Sequence, residues 1–246
     1  MDNISKFNVN ELQNSFLNAQ PFNYVVIDNF LDTCLIKEIE LEIRLMDPNN
    51  WFDKKTLFGH INNQPDCDTQ SKKVALNIRE QFPEKTKTII ELFESKEMIN
   101  FIENVTNIKE LQPDPYLLGG GIHKTTSNGH LSIHCDFNIH PHTNKHRRVN
   151  ALLYLNSNWK PEYNGELELW NKDMQSCAKK IEPISNRLVI FRITDESLHG
   201  SPEKWLGPEN YSRLSLAFYY YTDDRPEEEK SDFHWALWFK RFNTFY

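Results

Sequence analysis

The chain has 246 residues, of which 39% are hydrophobic and 26% charged, ordinary proportions for a globular domain with a substantial core. A formal net charge of −7 repels phosphate backbones and argues against nucleic acid as a partner. No apolar run approaches the roughly 18–20 residues that cross a bilayer, so no membrane partner is expected.

The opening MDNISKFNVNELQNSF has no basic region followed by an apolar one, so no secretory signal is expected. Cys34, Cys67, Cys135 and Cys177 form no CxxC pair, which argues against a structural zinc site or a disulfide framework. Together these features point to a reduced, cytoplasmic protein. Aromatic residues reach 13%, favouring a sheet-based core over a coiled coil.

A short strand is predicted over residues 24–30 (YVVIDNF). Asp32 or Thr33 caps a helix carrying Leu35, Ile36, Ile39 and Ile43 on one face. Residues 49–71 are rich in turn formers without a period and read as a long loop, either functional or a plain surface excursion. A second helix starts at Pro83 and runs through Ile89, Ile90 and Phe93; Ser95 caps a third with Met98, Phe101 and Ile102 turned inward. From Pro115 the pattern changes to short strands, predicted over 116–123, 130–138, 148–156, 165–170, 187–193 and 213–222. Asn164-Gly165 between two of them is a tight-hairpin signal. Helices first and strands later give an α+β chain with a sandwich or barrel-like sheet supported on one face. Residues 223–232 are a charged connector. Beyond it, Trp235, Trp238, Phe239 and Phe242 fall at helical spacing, predicting a terminal helix that docks on the domain or presents a surface for a partner or a homodimer. The whole chain reads as a single domain, with helical support over 1–114, the β-core over 115–222 and an extension over 223–246.

The chemistry concentrates in HLSIHCDFN, residues 130–138. Strand side chains alternate, so His134 and Asp136 project from one face while Ile133, Cys135 and Phe137 take the other. An imidazole and a carboxylate so placed can occupy adjacent positions on one metal ion, although HxD alone is a weak signal. His199, in TDESLHGSP after an apolar strand, is the best third ligand. Two histidines and a carboxylate on one face of an octahedron leave the other positions open, as in non-haem iron oxygenases. Arg213 opens the strand RLSLAFYYYT and shares a face with Ser215, Ala217 and Tyr219. A guanidinium there calls for a carboxylate partner, either a ligand or a surface acid. His140, His142 and His146 follow in NIHPHTNKHRR, where a solvated loop competes with a second metal site.

At this point the residues resemble the prolyl-4-hydroxylase-like branch of the 2-oxoglutarate/Fe(II) dioxygenases. The resemblance runs from Gly119 to Thr222 through HCDFN, RRVNALLYLNSNW, NGELELW, IEPISNRLVIF, LHGSP and RLSLAFYYYT, in that order. It implies a double-stranded β-helix, a jelly-roll or cupin-like fold, with Fe(II) held by His134, Asp136 and His199. It further implies 2-oxoglutarate with its far carboxylate on Arg213, beside Ser215 and Tyr154, O2 as the oxidant, and ascorbate as an auxiliary reductant. Family members often carry a tyrosine about ten residues before the first ligand; here His123 stands near that place. The implied activity is hydroxylation of an unactivated C–H bond in an amino acid, peptide or small molecule, a proline-type substrate favoured, with release of succinate and CO2. The competing reading is a non-catalytic cupin-like metal-binding or sensing domain. Asp136, in place of the Ala or Gly of halogenases, favours hydroxylation.

Overall fold

The computed structural model describes residues 4–53 and 69–241. Helix α1 (Val9–Leu17), which lies ahead of the first predicted element, starts at Asn8, whose side chain accepts the Glu11 amide at 3.4 Å. The first strand, β1, is Tyr24–Ile27, shorter than predicted. Helix α2 (Thr33–Arg44) begins where expected, because the Asp32 carboxylate accepts the amides of Cys34 and Leu35. Two short strands follow, β2 (Phe52–Asp53) and β3 (Gln70–Leu76). Of the predicted 49–71 loop, residues 54–68 lie outside the described residues, as does Cys67; Cys34, Cys135 and Cys177 are free thiols.

Helix α3 (Glu84–Glu94) follows Pro83, and α4 (Lys96–Thr106) is capped by the Ser95 hydroxyl, which accepts the Met98 amide at 3.2 Å. The inward residues are the predicted ones, Ile89, Ile90 and Phe93 on α3 and Met98 and Ile102 on α4, with Phe101 only partly buried. No helix among the described residues is long and apolar enough to cross a membrane.

The remaining strands are β4 (Gln112–Pro113), β5 (Gly121–Cys135), β6 (His146–Tyr154), β7 (Leu167–Trp170), β8 (Cys177–Ile181), β9 (Leu188–Arg192), β10 (His199–Ser201), β11 (Arg213–Thr222) and β12 (Leu237–Trp238). They form one antiparallel sheet that curls on itself, ordered β1-β9-β6-β11-β5-β10-β7-β8, and β5 makes the corner. Its first residues pair with β11, from Arg213↔Thr125 to Ala217↔Gly121, and its last pair with β10, His199↔His134. Between them the register against β3 jumps from Thr125 to His130, and Asn128 at φ 63° turns the chain. Two predicted strands are therefore halves of one bent strand. The result is an α+β fold on a double-stranded β-helix.

The two faces of β11 and β6 divide the molecule. Leu214, Leu216, Phe218 and Tyr220 join Val149, Ala151 and Leu153 in a core shared with the helices, where Phe93 stacks on Phe218 with ring centroids 3.9 Å apart. Truncating one such buried aromatic costs about 3–5 kcal/mol. The opposite face carries Arg213, Ser215, Asn150 and Tyr154 into the barrel.

Three expectations need correction. Asn164-Gly165 closes no hairpin, because β7 pairs with β10 and β8 rather than with β6. Both residues take positive φ in a turn beneath Trp205, whose ring would lie 2.7 Å from a Cβ on Gly165. The segment 233–241 is extended and not helical. Beyond the end of β3 the edge of β5 has unpaired backbone groups; β12 takes them up at Cys135 and His134, and the Phe239 amide bonds the Ile133 carbonyl at 2.8 Å. Its aromatic spacing is satisfied by separate neighbours, Trp235 on Phe137 and Trp238 on His134; Phe242 lies outside the described residues. Finally, β3, β8 and β10 form where no strand was predicted.

Candidate active site

Strands β5 and β10 bring the HxD pair and the distant histidine together. His199 is the direct partner of His134, and the two rings lie 4.5 Å apart between centroids. This approach depends on Gly200, where a Cβ would stand 2.6 Å from the Ser132 carbonyl oxygen of the neighbouring strand. Asp136 follows the last residue of β5. Its Oδ1 lies 3.7 Å from His134 Nε2, and its Oδ2 3.5 Å from His199 Nε2. One ligand atom from each of the three residues falls within 4.8 Å of the others. Among the described residues no other group of three such side chains converges.

Hydrogen bonds behind the three side chains aim them. His134 Nδ1 lies 2.9 Å from the Ser132 carbonyl and His199 Nδ1 2.8 Å from that of Ser197. A carbonyl can only accept, so each Nδ1 carries the proton and each Nε2 presents a lone pair to the space between the rings. Asp136 Oδ2 accepts from Asn150 Nδ2 at 2.8 Å and pairs with Arg147 at 3.1 Å; Arg147 Nε in turn donates to Asn150 Oδ1 at 3.0 Å. The Arg147 guanidinium lies over the rings of Tyr219 and Phe137, at 3.6 and 4.7 Å. Burial pushes the Asp136 carboxyl up, but Arg147, His199 and His134 more than offset it and hold it well below the usual range. Burial, then the neighbouring His134, lowers His199 to about 4, so it is neutral at physiological pH. A carboxylate and a neutral imidazole are the forms that bind a metal ion, and this donor set fits an iron(II) centre with open positions.

Arg213 lies deeper in the barrel. Its Nε donates to the Gly165 carbonyl at 2.7 Å and its Nη2 to Ser201 Oγ at 3.3 Å, with the Tyr154 hydroxyl at 3.5 Å. The guanidinium is buried, and no carboxylate of the described residues lies within 4.0 Å of it. The surface-acid alternative for Arg213 therefore has no partner among the described residues. Burial raises the Tyr154 hydroxyl, opposed by Arg213, so it stays protonated. Ser215 lies between Tyr154 and His123 in register across β6, β11 and β5. His123 Nε2 is 2.8 Å from the Gly119 carbonyl.

The three histidines of the 138–147 segment form no group of three ligands: the His140 and His142 rings lie 5.6 Å apart between centroids, and His146 faces elsewhere. His140 is buried, accepts the amides of His142 and Thr143 at Nδ1, and points Nε2 at Asp114 at 3.3 Å. His146 opens β6 and faces Asp224 at 3.8 Å. His140 thus pins the turn.

Sequence reasoning missed Arg147, Asn150, Ser201 and the contact of Trp238 with His134. Asn150 was legible, since it shares a face of β6 with Tyr154. Ser201 follows His199 by two residues and the same alternation would have found it. Nothing local marks Arg147 as the partner of Asp136, or Trp238 as the residue against His134; both contacts are made across strands.

Residues 120–221 match the model of the 2OG-Fe(II) oxygenase superfamily. Among solved structures, a prolyl-4-hydroxylase from Pseudomonas putida is 18% identical with a TM-score of 0.52, covering 86% of this chain and 98% of its own. A Trichoplax adhaerens prolyl hydroxylase in complex with a hypoxia-inducible-factor peptide is 17% identical with a TM-score of 0.58, covering 87% and 90%. HygX from Streptomyces hygroscopicus, with nickel, 2-oxoglutarate and hygromycin B bound, is 13% identical with a TM-score of 0.53, covering 85% and 90%. No curated protein matches the chain. This β-core is thus similar to the 2OG-Fe(II) oxygenase superfamily over residues 120–221, and the solved structures share its fold.

Proposed function

We propose that this enzyme hydroxylates an unactivated C–H bond of an amino acid or peptidyl residue, with a proline-type substrate favoured. One observation carries the reading. Two imidazoles and a carboxylate converge on one point, while a buried guanidinium with no carboxylate of the described residues beside it stands further along the same inner face. In this reading His134, Asp136 and His199 hold the iron, and Arg213 takes the far carboxylate of 2-oxoglutarate beside Tyr154 and Ser215. His123 contributes from the adjoining strand. When bound, iron would let O2 act as the oxidant, one oxygen atom entering the C–H bond and the other entering succinate as 2-oxoglutarate loses CO2. The protein contributes ligand geometry, a compensated carboxylate and a partly dry pocket. The preference for proline is supported by two of the similar folds, which belong to prolyl hydroxylases; HygX, with hygromycin B bound, keeps a small molecule in contention.

The test is a substrate screen scored by succinate release, beginning with free and peptidyl proline and repeated on His134→Ala. Substrate-dependent succinate that vanishes in the variant supports the reading. Iron-loaded protein that never binds 2-oxoglutarate sinks it.

A further inference from the structure

Lys73 is a second cation on the inner face, delivered there by a local backbone feature. Lys72 has φ 48°, and the register of β3 against β5 shifts between Ser71 and Lys73. This bulge re-aims the strand. Beyond it Lys73 pairs with Thr125, which on its other side pairs with Arg213. Directly paired residues share a face of the sheet, so Lys73, Thr125 and Arg213 form a row across three strands. All three line one cavity with Leu131, Ser201 and Glu203. Glu203 is already paired with Arg241 at 2.7 Å. Neither Lys73 nor Arg213 has an ion-pair partner among the described residues.

Two cations side by side without an anion repel each other, and desolvation makes the arrangement worse. Burial and then Arg213 lower the Lys73 ammonium to about 8, with Asp136 pulling the other way. Lys73 therefore feels both the guanidinium and the carboxylate of the proposed metal set. An anionic group placed between the two cations would remove the repulsion, and a carboxylate has one oxygen for each.

We propose that Lys73 is a co-substrate-binding residue that takes one oxygen of the far carboxylate of 2-oxoglutarate while Arg213 takes the other. The proposal rests on the oxygenase reading above. It makes recognition of that carboxylate a two-cation device built from β3 and β11.

The experiment measures dissociation constants under anaerobic conditions for Fe(II)-loaded parent, Lys73→Met and Lys73→Arg. The ligands are 2-oxoglutarate and 2-oxopentanoate, which has the same chain length but ends in a methyl group. Melting temperatures of the unliganded proteins are recorded alongside. Lys73→Met is expected to weaken 2-oxoglutarate binding about tenfold or more, as loss of a charge-assisted contact does. It leaves 2-oxopentanoate unchanged, Lys73→Arg recovers most of the affinity, and the unliganded melting temperature does not fall. Equal 2-oxoglutarate affinity in parent and Lys73→Met overturns the proposal but leaves the oxygenase reading intact. Weakening of both ligands, or a lowered melting temperature with both ligands affected, assigns Lys73 a structural role and also overturns it. A parent protein that binds neither ligand overturns the oxygenase reading and the proposal together.

Discussion

Two regions of the barrel's inner face are charged differently. At the HxD end the protein supplies both signs: Asp136 is met by Arg147 and Asn150, and each histidine has its Nδ1 on a carbonyl. At the Arg213 end only one sign stands unpaired, since Arg213 and Lys73 face the same space and Glu203 is taken by Arg241. The first end is organised by the fold before anything binds. The second is left incomplete and is finished by an anion. Compensation costs little to hold in an empty protein, whereas two uncompensated cations make the empty protein less stable in exchange for affinity.

That contrast yields predictions of decreasing size. Asp136→Ala removes a proposed ligand and strands Arg147 as a buried, unpaired cation. Turnover should fall below detection and the fold should lose stability on the order of 3–5 kcal/mol; 2-oxoglutarate consumption and chemical denaturation check the two effects separately. A variant that keeps turnover would break the assignment of this end. Arg213→Met should leave iron binding intact and weaken 2-oxoglutarate roughly 30-fold or more, the range seen when one partner of a buried charged contact is truncated. Anaerobic titration reads it, and unchanged affinity would erase the difference between the ends.

Asn150→Ala tests the preorganised end more gently. With one bond to Asp136 Oδ2 gone, metal affinity should drop about 10–100-fold, as for partners that orient a ligand from behind. Competition with a chelator of known affinity measures it. The smallest effect is a pH dependence at the other end. Lys73 is held at about 8 against an ordinary 10.5, facing Arg213 and Asp136, with Glu203 and its partner Arg241 on the cavity wall. A folded-state value below the unfolded one means that the unfolded chain binds more protons between about 8 and 10.5. Free-protein stability attributable to Lys73 therefore rises across that window. Binding of 2-oxoglutarate runs the other way, weakening as pH climbs through about 8 because the ammonium it needs is lost. Lys73→Met should show neither trend, and parallel trends in parent and variant would exclude Lys73 as their source.

Much of this was readable without coordinates. Asp32 and Ser95 mark helix starts because their side chains satisfy amides that a helix leaves open, a local requirement. The alternation that separates Leu214, Leu216 and Phe218 from Arg213 and Ser215 follows from strand geometry, and so does the shared face of His134 and Asp136. The terminal segment misled because its aromatic spacing suits a helix, while the open edge of β5 offered its backbone better partners.

The amino-acid order by itself picked out the candidate site residues, since the period of a strand and the identity of a cap are properties of a few neighbouring residues. Only the tertiary structure decided how those residues are compensated. Arg147 reaches Asp136, Trp238 reaches His134, and Lys73 joins Arg213 through contacts between segments distant in the chain, made by register, a bulge at Lys72 and the bend of β5. Charge balance in a buried cavity depends on what folding places within a few ångströms, and no local pattern encodes that distance.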